Sequence, residues 1–169
     1  WILPHERVDD LQLNGLKIIQ NPKGFCFGID AVLLSNFVTL KKNDNVVEFG
    51  TGTGIIPILL SGKEHFNKIT AFEVQEEVAD MAKRSVKLNQ LEDKIEVIND
   101  NLKASMHYIT PGSIDVVITN PPYMSPGAGM KNALEQKSIS RHEVLCTLED
   151  IIEQASKMLK FRGRLFMIH

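Results

Sequence analysis

The sequence predicts an α/β fold, in which a mostly parallel, twisted sheet carries helices on both faces and a small hairpin and helix flank its N-terminal side. From residue 45 onward, short apolar runs rich in β-branched residues alternate with longer segments of helical spacing. Turn signals punctuate this alternation, which is typical of parallel strands joined by crossover helices. The length of 169 residues corresponds to about one domain.

Five strands are expected, at residues 45–49, 68–74, 94–98, 113–119 and 164–168. Residues 75–91 place apolar side chains on one helical stripe and charged ones outside it, which predicts an amphipathic helix. A second such stripe occupies residues 150–159, and we expect Gly163 to end that helix. Together these elements predict one α/β domain over residues 45–169.

Residues 1–44 are expected to form a separate flank of this domain. Residues 16–20 and 25–27 predict a hairpin around the Pro/Gly turn between them. The segment from Gly28 onward then predicts a helix entered through an Asp30 cap. Further along, residues 124–137 hold few large apolar side chains and predict a loop.

Composition restricts the classes of function. With 43% hydrophobic and 24% charged residues and a net charge of −2, the chain is ordinary for a globular domain, and any polyanion would need a local patch. Cys26 and Cys146 stand far apart, which predicts neither a disulfide scaffold nor a metal site and fits a reducing cytoplasm. No membrane span or signal peptide is predicted. The chain starts at Trp1 rather than at a Met and stops at His169 just after the start of a predicted strand. We therefore expect a fragment at both ends, with residues 45–169 truncated at their C-terminal end.

A glycine-rich loop, with Gly50, Gly52 and Gly54, follows the first strand of the α/β part. Glycine lets backbone amides approach a ligand closely and permits a tight turn from strand to helix. The spacing G-x-G-x-G differs from the G-x-G-x-x-G of pyrophosphate sites, and the preceding Glu48 suits a cationic ligand better. The alternative interpretation is an ordinary tight turn between a strand and a helix.

Two acidic residues follow the next strands. Glu73 ends the second strand, close to the interval of about 20 residues at which an acidic side chain binds ribose hydroxyls. A surface glutamate at a strand end is the alternative. Asp100 ends the third strand, where it either contacts a ligand or caps a helix starting near Asn101.

The tetrapeptide Asn120-Pro121-Pro122-Tyr123 follows the fourth strand, at the end of the sheet where α/β proteins place ligands. The two prolines remove amide donors, so hydrogen-bond acceptors dominate this loop. Oxygens of Asn120 and Pro121 that accept from a planar amine would push its nitrogen toward tetrahedral geometry. Tyr123 can stack on a flat ring. An Asn-Pro turn with a packed tyrosine is the alternative.

These motifs resemble those of a known family. The glycine loop resembles the first motif of class I S-adenosylmethionine-dependent methyltransferases, and Asn120–Tyr123 resembles the NPPY motif of enzymes that methylate adenine, guanine or glutamine amines. The segments Gly24–Leu34 and Ser140–Glu143 resemble the tRNA adenine-N6 methyltransferase family, which modifies a valine tRNA near its anticodon. The sequence from Met124 to Gly127 departs from the more aromatic sequence of that family.

The resemblance implies a Rossmann-like class I methyltransferase fold, the cofactor S-adenosyl-L-methionine, and an RNA substrate, tRNA in particular. The implied catalytic residues are Asn120, Pro121, Pro122 and Tyr123, with no metal. The implied cofactor-binding residues are Phe27, Asp30, Glu48, Gly50, Thr51, Gly52, Gly54, Ile55, Glu73, Val74, Asp100, Asn101 and Asn120. For Phe27 and Asp30, a core aromatic and a helix cap are the alternatives.

We therefore expect a cytoplasmic enzyme that methylates the exocyclic amine of adenine in RNA. A protein glutamine or guanine-N2 methyltransferase is the alternative within the same chemistry, and a non-catalytic nucleotide-binding module is the alternative from another class. Four cationic residues can contact phosphates beside the site, or simply form a solvated face: Lys131, Lys137, Arg141 and His142. His107 and Tyr108 have no partner at catalytic spacing, and we expect them to be structural.

Overall fold

The computed structural model describes residues 1–121 and 146–169. The strands are β1 (Arg7–Asp10), β2 (Lys17–Gln20), β3 (Asn45–Phe49), β4 (Lys68–Glu73), β5 (Ile95–Asn99), β6 (Ile114–Thr119) and β7 (Leu159–Met167). The helices are α1 (Ile29–Phe37), α2 (Ile55–Lys63), α3 (Glu76–Leu88) and α4 (Leu148–Met158), with a short 3-10 helix at Leu102–His107. The loop predicted at residues 124–137 lies outside the described residues.

Five strands form one sheet in the order β5-β4-β3-β6-β7, and every neighbouring pair is parallel. The central strand β3 alternates its side chains between two apolar clusters, with Val46 in one and Val47 in the other. Helices α1 and α2 contribute to the first cluster, and α4 contributes to the second. The sheet is therefore covered on both faces, and the predicted α/β fold is confirmed.

The N-terminal hairpin differs from the prediction. Strand β2 pairs antiparallel with β1, so that Val8 lies opposite Ile19, whereas residues 25–27 are not a strand. The pattern of β1 is mostly charged and predicts no strand, yet its pairing supplies backbone partners to β2. Strand β2 is in turn held against α3, where the Ile19 N–H donates to the Ser85 Oγ at 2.9 Å.

Two predicted helix ends are also wrong. Helix α1 is capped by Gly28 without a side-chain hydrogen bond, and Asp30 lies in its first turn, where a carboxylate interacts favourably with the helix dipole. Helix α4 ends at Met158 and leads directly into β7, so Gly163 lies inside that strand. Residues 160–163 bulge from the strand, because Leu159 pairs with Ile114 and the next pair is Arg164 with Val116.

The N-terminal flank and the α/β part share one core. Ile18 of β2 and Leu34 of α1 are buried in the same cluster as Val46 of β3 and Ile56 of α2. Among residues 1–121 and 146–169, no helix is both long enough and apolar enough to cross a membrane.

Candidate active site

The strand register brings the predicted site residues to one edge of the sheet. Phe49 of β3 lies between Phe72 of β4 and Thr119 of β6. The residues that follow these three, Gly50, Glu73 and Asn120, therefore share a row at the carboxyl edge of the sheet. This edge is where open α/β sheets bind their ligands.

The glycine loop is held tightly against β4. Two consecutive amides, those of Gly50 and Thr51, donate to the Phe72 carbonyl at 2.9 and 3.0 Å. Gly50 has φ +70°, and Gly54 has φ +87° at the start of α2, so the turn needs left-handed backbone at both positions. Ile55 then begins α2 as a buried residue.

Gly52 makes the closest approach in the loop. Its φ is +59°, and a Cβ built there would lie 2.6 Å from a ring carbon of Phe25. The segment between β2 and α1 therefore packs directly on the glycine loop. Phe27 in the same segment packs against the core, and its N–H donates to the buried Gln20 Oε1 at 2.9 Å. Sequence reasoning placed Phe25 in a strand and missed this contact.

Beneath the loop lies a group of buried polar atoms that have no hydrogen-bond partner among the described residues. They are both carboxyl oxygens of Glu48 and the hydroxyl oxygens of Thr51 and Thr53. Burial and, to a smaller degree, the nearby Glu73 raise the pKa of Glu48 to about 8, and the Thr51 hydroxyl offsets part of the rise without reaching hydrogen-bond geometry. Unpaired buried polar groups are costly, so this arrangement points to a ligand that pairs with them.

Glu73 is bonded at both of its oxygens. Oε2 accepts from the Gly52 N–H at 2.9 Å, and Oε1 accepts from the Gln75 N–H at 3.0 Å. Burial raises the pKa of this carboxyl, while these two amides lower it. Glu73 therefore ties the glycine loop to the turn after β4, and each oxygen keeps a second lone pair. Val74, the next residue, is half-buried.

Asp100 does not cap the 3-10 helix. The cap is Asn101, whose side-chain oxygen accepts from the Lys103 N–H at 2.9 Å. Asp100 instead accepts from the Asn101 N–H at 2.7 Å and from the Tyr108 hydroxyl at 2.7 Å. Sequence reasoning missed Tyr108 as a partner. It also missed Asn99, whose side chain donates to the Glu73 and Val74 carbonyls at 2.9 and 3.1 Å.

Asn120 and Pro121 are half-buried directly after β6. The strand end is fixed because the buried Thr119 hydroxyl donates to the Phe49 carbonyl at 3.2 Å. Among residues 1–121 and 146–169 we find no hydrogen-bond partner for the Asn120 side chain. Several predicted site residues lie outside the described residues: Pro122, Tyr123, Lys131, Lys137, Arg141 and His142.

The structure thus brings most of the predicted residues together. Glu48, the glycine loop, Glu73 and Asn120 share the carboxyl edge, while Asp30 lies in the first turn of α1, which packs beside α2. The unpaired carboxyl and hydroxyl groups fit a ligand that carries an ammonium group, such as the amino acid part of S-adenosylmethionine. Thr53 belongs to this group and was not predicted.

Comparison with known proteins identifies relatives of this chain. The chain is 29% identical over 137 residues to a tRNA1(Val) (adenine(37)-N6)-methyltransferase of Bacteroides thetaiotaomicron, with 80% of this chain and 56% of the relative covered. A Haemophilus influenzae protein of the same name is 25% identical over 154 residues, covering 89% and 64%. The chain spans about half the length of the first relatives that it matches.

Solved structures show the same fold. Geranyl diphosphate C-methyltransferase from Streptomyces coelicolor, in complex with S-adenosyl-L-homocysteine, superposes with a TM-score of 0.62 at 16% identity, covering 82% of this chain and 44% of that one. Pyrococcus horikoshii TYW2 superposes with a TM-score of 0.60 at 15% identity, covering 94% and 50%. The resemblance inferred from the sequence motifs is confirmed. Residues 28–169 match the methyltransferase small domain, and the chain belongs to that family.

Proposed function

We propose that this chain is the cofactor-binding core of an S-adenosylmethionine-dependent enzyme that methylates the exocyclic amine of adenine in tRNA. One observation carries the proposal: the half-buried Asn120 side chain has no described partner and lies on the same sheet edge as the buried, unpaired Glu48. A site for a cation and an acceptor for an amine are thus held side by side by the strand register.

The cofactor-binding part of the proposal rests on the loop between β3 and α2. Glu48, Thr51 and Thr53 supply buried oxygens that can accept from an ammonium group. Glu73 keeps lone pairs for ribose hydroxyls beside the loop amides that it orients. When bound, S-adenosylmethionine supplies an electrophilic methyl group on its sulfonium.

The target-binding part rests on Asn120 and Pro121. The Asn120 side-chain oxygen and the Pro121 carbonyl would each accept one hydrogen of the amine, which would make the nitrogen lone pair available to accept the methyl group. The fixed end of β6 positions both acceptors in advance, so little reorganisation accompanies the reaction. The proton that the amine loses passes to water.

Adenine in tRNA is the proposed substrate because the curated relatives carry that activity in their names. The net charge of −2 provides no general attraction to RNA, so recognition needs a local surface. We propose that the protein acts in the cytoplasm, in keeping with its tRNA substrate.

The test compares three acceptors for labelled methyl transfer by the purified protein. These are protein-free tRNA from a strain lacking the gene, the same tRNA after it has been methylated, and purified release factor from which RNA has been removed. We expect label only in unmethylated tRNA, at the N6 of an adenine. Calorimetry with S-adenosylhomocysteine should show one binding site.

Each alternative gives a different result. Label in release factor would mark a glutamine methyltransferase, and label on the guanine amine would mark a guanine-N2 enzyme. Binding of S-adenosylhomocysteine without transfer to any acceptor would mark a nucleotide-binding module. If the protein does not bind S-adenosylhomocysteine at all, the proposed cofactor is wrong and the proposal fails.

A further inference from the structure

Tyr108 makes a contact that the proposed function does not yet use. It follows the 3-10 helix, eight positions beyond Asp100, and its hydroxyl donates to the Asp100 Oδ2 at 2.7 Å. The other carboxyl oxygen, Oδ1, accepts from the Asn101 N–H at 2.7 Å. Both oxygens of Asp100 are therefore engaged, one by the amide of the next residue and the other by a hydroxyl from beyond the 3-10 helix.

The ring of Tyr108 is itself fixed. It packs edge-on against Phe72 with ring centroids 5.8 Å apart, and Phe72 is a buried residue of β4 that also packs against Phe49. The ring is half exposed, so its position comes from this aromatic contact and from the hydroxyl bond to Asp100. Edge-on aromatic pairs are a favoured geometry, so this contact restrains the ring.

We propose that Tyr108 is a positioning residue that holds the Asp100 carboxylate in the plane in which it accepts a hydrogen bond from the exocyclic amine of the cofactor's adenine. The inference deepens the proposed function and rests on its cofactor. A half-buried carboxylate on a turn would otherwise sample several rotamers and exchange partners with water. Two donors on two oxygens fix its plane while each oxygen keeps a second lone pair.

The charges around Asp100 agree with this role. The Tyr108 hydroxyl and, next, the Asn101 amide lower the pKa of Asp100, and the nearby His107 lowers it further. The carboxyl is thus ionised and is only an acceptor at neutral pH, which suits an amine donor. The same bond raises the pKa of Tyr108, so its hydroxyl stays protonated and remains a donor.

The test measures discrimination between two ligands by calorimetry. One is S-adenosylhomocysteine, and the other is the homocysteine thioether of purine riboside, which carries hydrogen in place of the amine. We expect Tyr108→Phe, which keeps the ring contact with Phe72, to reduce the preference for the amine-bearing ligand by about threefold to tenfold. Affinity for the ligand without the amine should be unchanged.

Two further variants separate positioning from a general structural role. Asp100→Ala, which removes both acceptor oxygens, should remove the preference, and adding Tyr108→Phe to it should have no further effect on the preference. Phe161→Leu, which changes an aromatic side chain that is 93% exposed in the bulge of β7, should leave both affinities unchanged. The pKa of Asp100, followed by NMR, should rise in Tyr108→Phe.

Several outcomes would overturn the inference. Equal loss of affinity for both ligands in Tyr108→Phe would show a structural role. Unchanged affinity for both ligands would show that the hydroxyl does not contribute to binding. An additive effect in the double variant would break the link to Asp100. If the unaltered protein binds neither ligand, the proposed cofactor itself is wrong, and that result differs from all of the others.

Discussion

The two halves of the carboxyl edge differ in how their polar groups are satisfied. The half built on β4 and β5, called here the bonded half, has its side chains engaged by the protein itself: Glu73, Asn99, Asp100 and Asn101. The half built on β3 and β6, called the open half, carries buried carboxyl and hydroxyl oxygens that have no partner among residues 1–121 and 146–169, those of Glu48, Thr51 and Thr53. The half-buried Asn120 side chain, which also has no partner among those residues, belongs to this half.

This difference separates two tasks of one site. Hydrogen bonds within the bonded half fix the turns after β4 and β5, so its substitution should first affect stability and geometry. Buried groups of the open half that have no partner among the described residues are costly to the free protein, and a bound ligand can supply their partners. Substitution in the open half should therefore affect ligand binding or turnover more than folding.

The largest expected effect concerns Asn120 of the open half. Asn120→Ala removes an acceptor that acts on the amine in the transition state, so kcat should fall by about 100-fold or more. Because no described residue bonds to that side chain, the Tm should stay nearly constant. Labelled methyl transfer to tRNA and thermal unfolding measure the two quantities, and Asn36→Ala, in a surface residue of α1, serves as the control.

For Asn120→Ala, the affinity for S-adenosylhomocysteine is the decisive third measurement. It should change little, since the side chain is assigned to the target amine. A parallel loss of turnover and cofactor affinity would contradict that assignment.

Glu73 of the bonded half should show the opposite pattern. Glu73→Ala leaves the buried Gly52 N–H and the Gln75 N–H without their acceptor, which should lower the free energy of unfolding by about 2 kcal/mol. Removing the buried carboxyl also removes the cost of its desolvation, which offsets part of the lost stability. Urea unfolding at pH 7 measures the change, and Glu73→Gln, which keeps one acceptor oxygen, should lose less. Unchanged stability in Glu73→Ala would remove the distinction between the two halves.

Glu48 of the open half should make stability depend on pH. The unfolded chain releases this proton near pH 4.5 and the folded chain near pH 8, so rising pH between those values favours the unfolded state. Glu48→Gln removes the titration. Relative to the variant, the unaltered protein should lose about 2 kcal/mol between pH 5 and pH 6.5 and should continue to lose stability up to about pH 8. Urea unfolding across that range checks the sign of this change. If the free energies of unfolding of the two proteins vary with pH in parallel, the prediction is wrong.

The same carboxyl should couple cofactor binding to a proton. A cation that pairs with Glu48 favours its ionised form, so binding of S-adenosylhomocysteine near pH 7 should release a proton from this residue, and affinity should rise toward pH 8. Calorimetry in buffers of different ionisation enthalpy counts the protons. Glu48→Gln should bind more weakly and with a flatter pH dependence.

The sequence predicted the strands of this edge well because each is a short apolar run. The predicted bounds of β3 are those observed, and β6 differs by one residue. Strand β1 escaped prediction because its pattern is mostly charged and its pairing with β2 is a tertiary event. A similar limit applies to Gly28, which caps α1 in place of Asp30, since Gly28 lacks a side chain to signal the cap.

For the site, the strand-end residues followed from topology alone. Parallel strands end at the same edge, so Glu48, Glu73 and Asn120 had to meet once the sheet was predicted. Partners that depend on side-chain direction did not follow. Phe25 reaches Gly52 across the flank, and Tyr108 reaches Asp100 from beyond a helix, and neither spacing carries a sequence signal.

The smallest expected effect concerns Asn99, and it tests how far the bonded half serves the ligand. Its exposed side chain donates to the Glu73 and Val74 carbonyls, so Asn99→Ala should lower the free energy of unfolding by about 0.5–1 kcal/mol. The turn that carries Glu73 then loses a restraint, and affinity for S-adenosylhomocysteine should fall by about threefold.

Asn67→Ala is the matched control for Asn99→Ala. Asn67 is also exposed and donates from its side chain, to the Asn45 oxygen at 2.7 Å, but it precedes β4 at the opposite edge of the sheet. It should cost a similar amount of stability and leave ligand affinity unchanged. If both variants bind S-adenosylhomocysteine equally well, the hydrogen bonds of Asn99 only stabilise the fold and do not contribute to ligand binding. If only Asn99→Ala weakens binding, the bonded half positions groups that bind the same ligand as the open half.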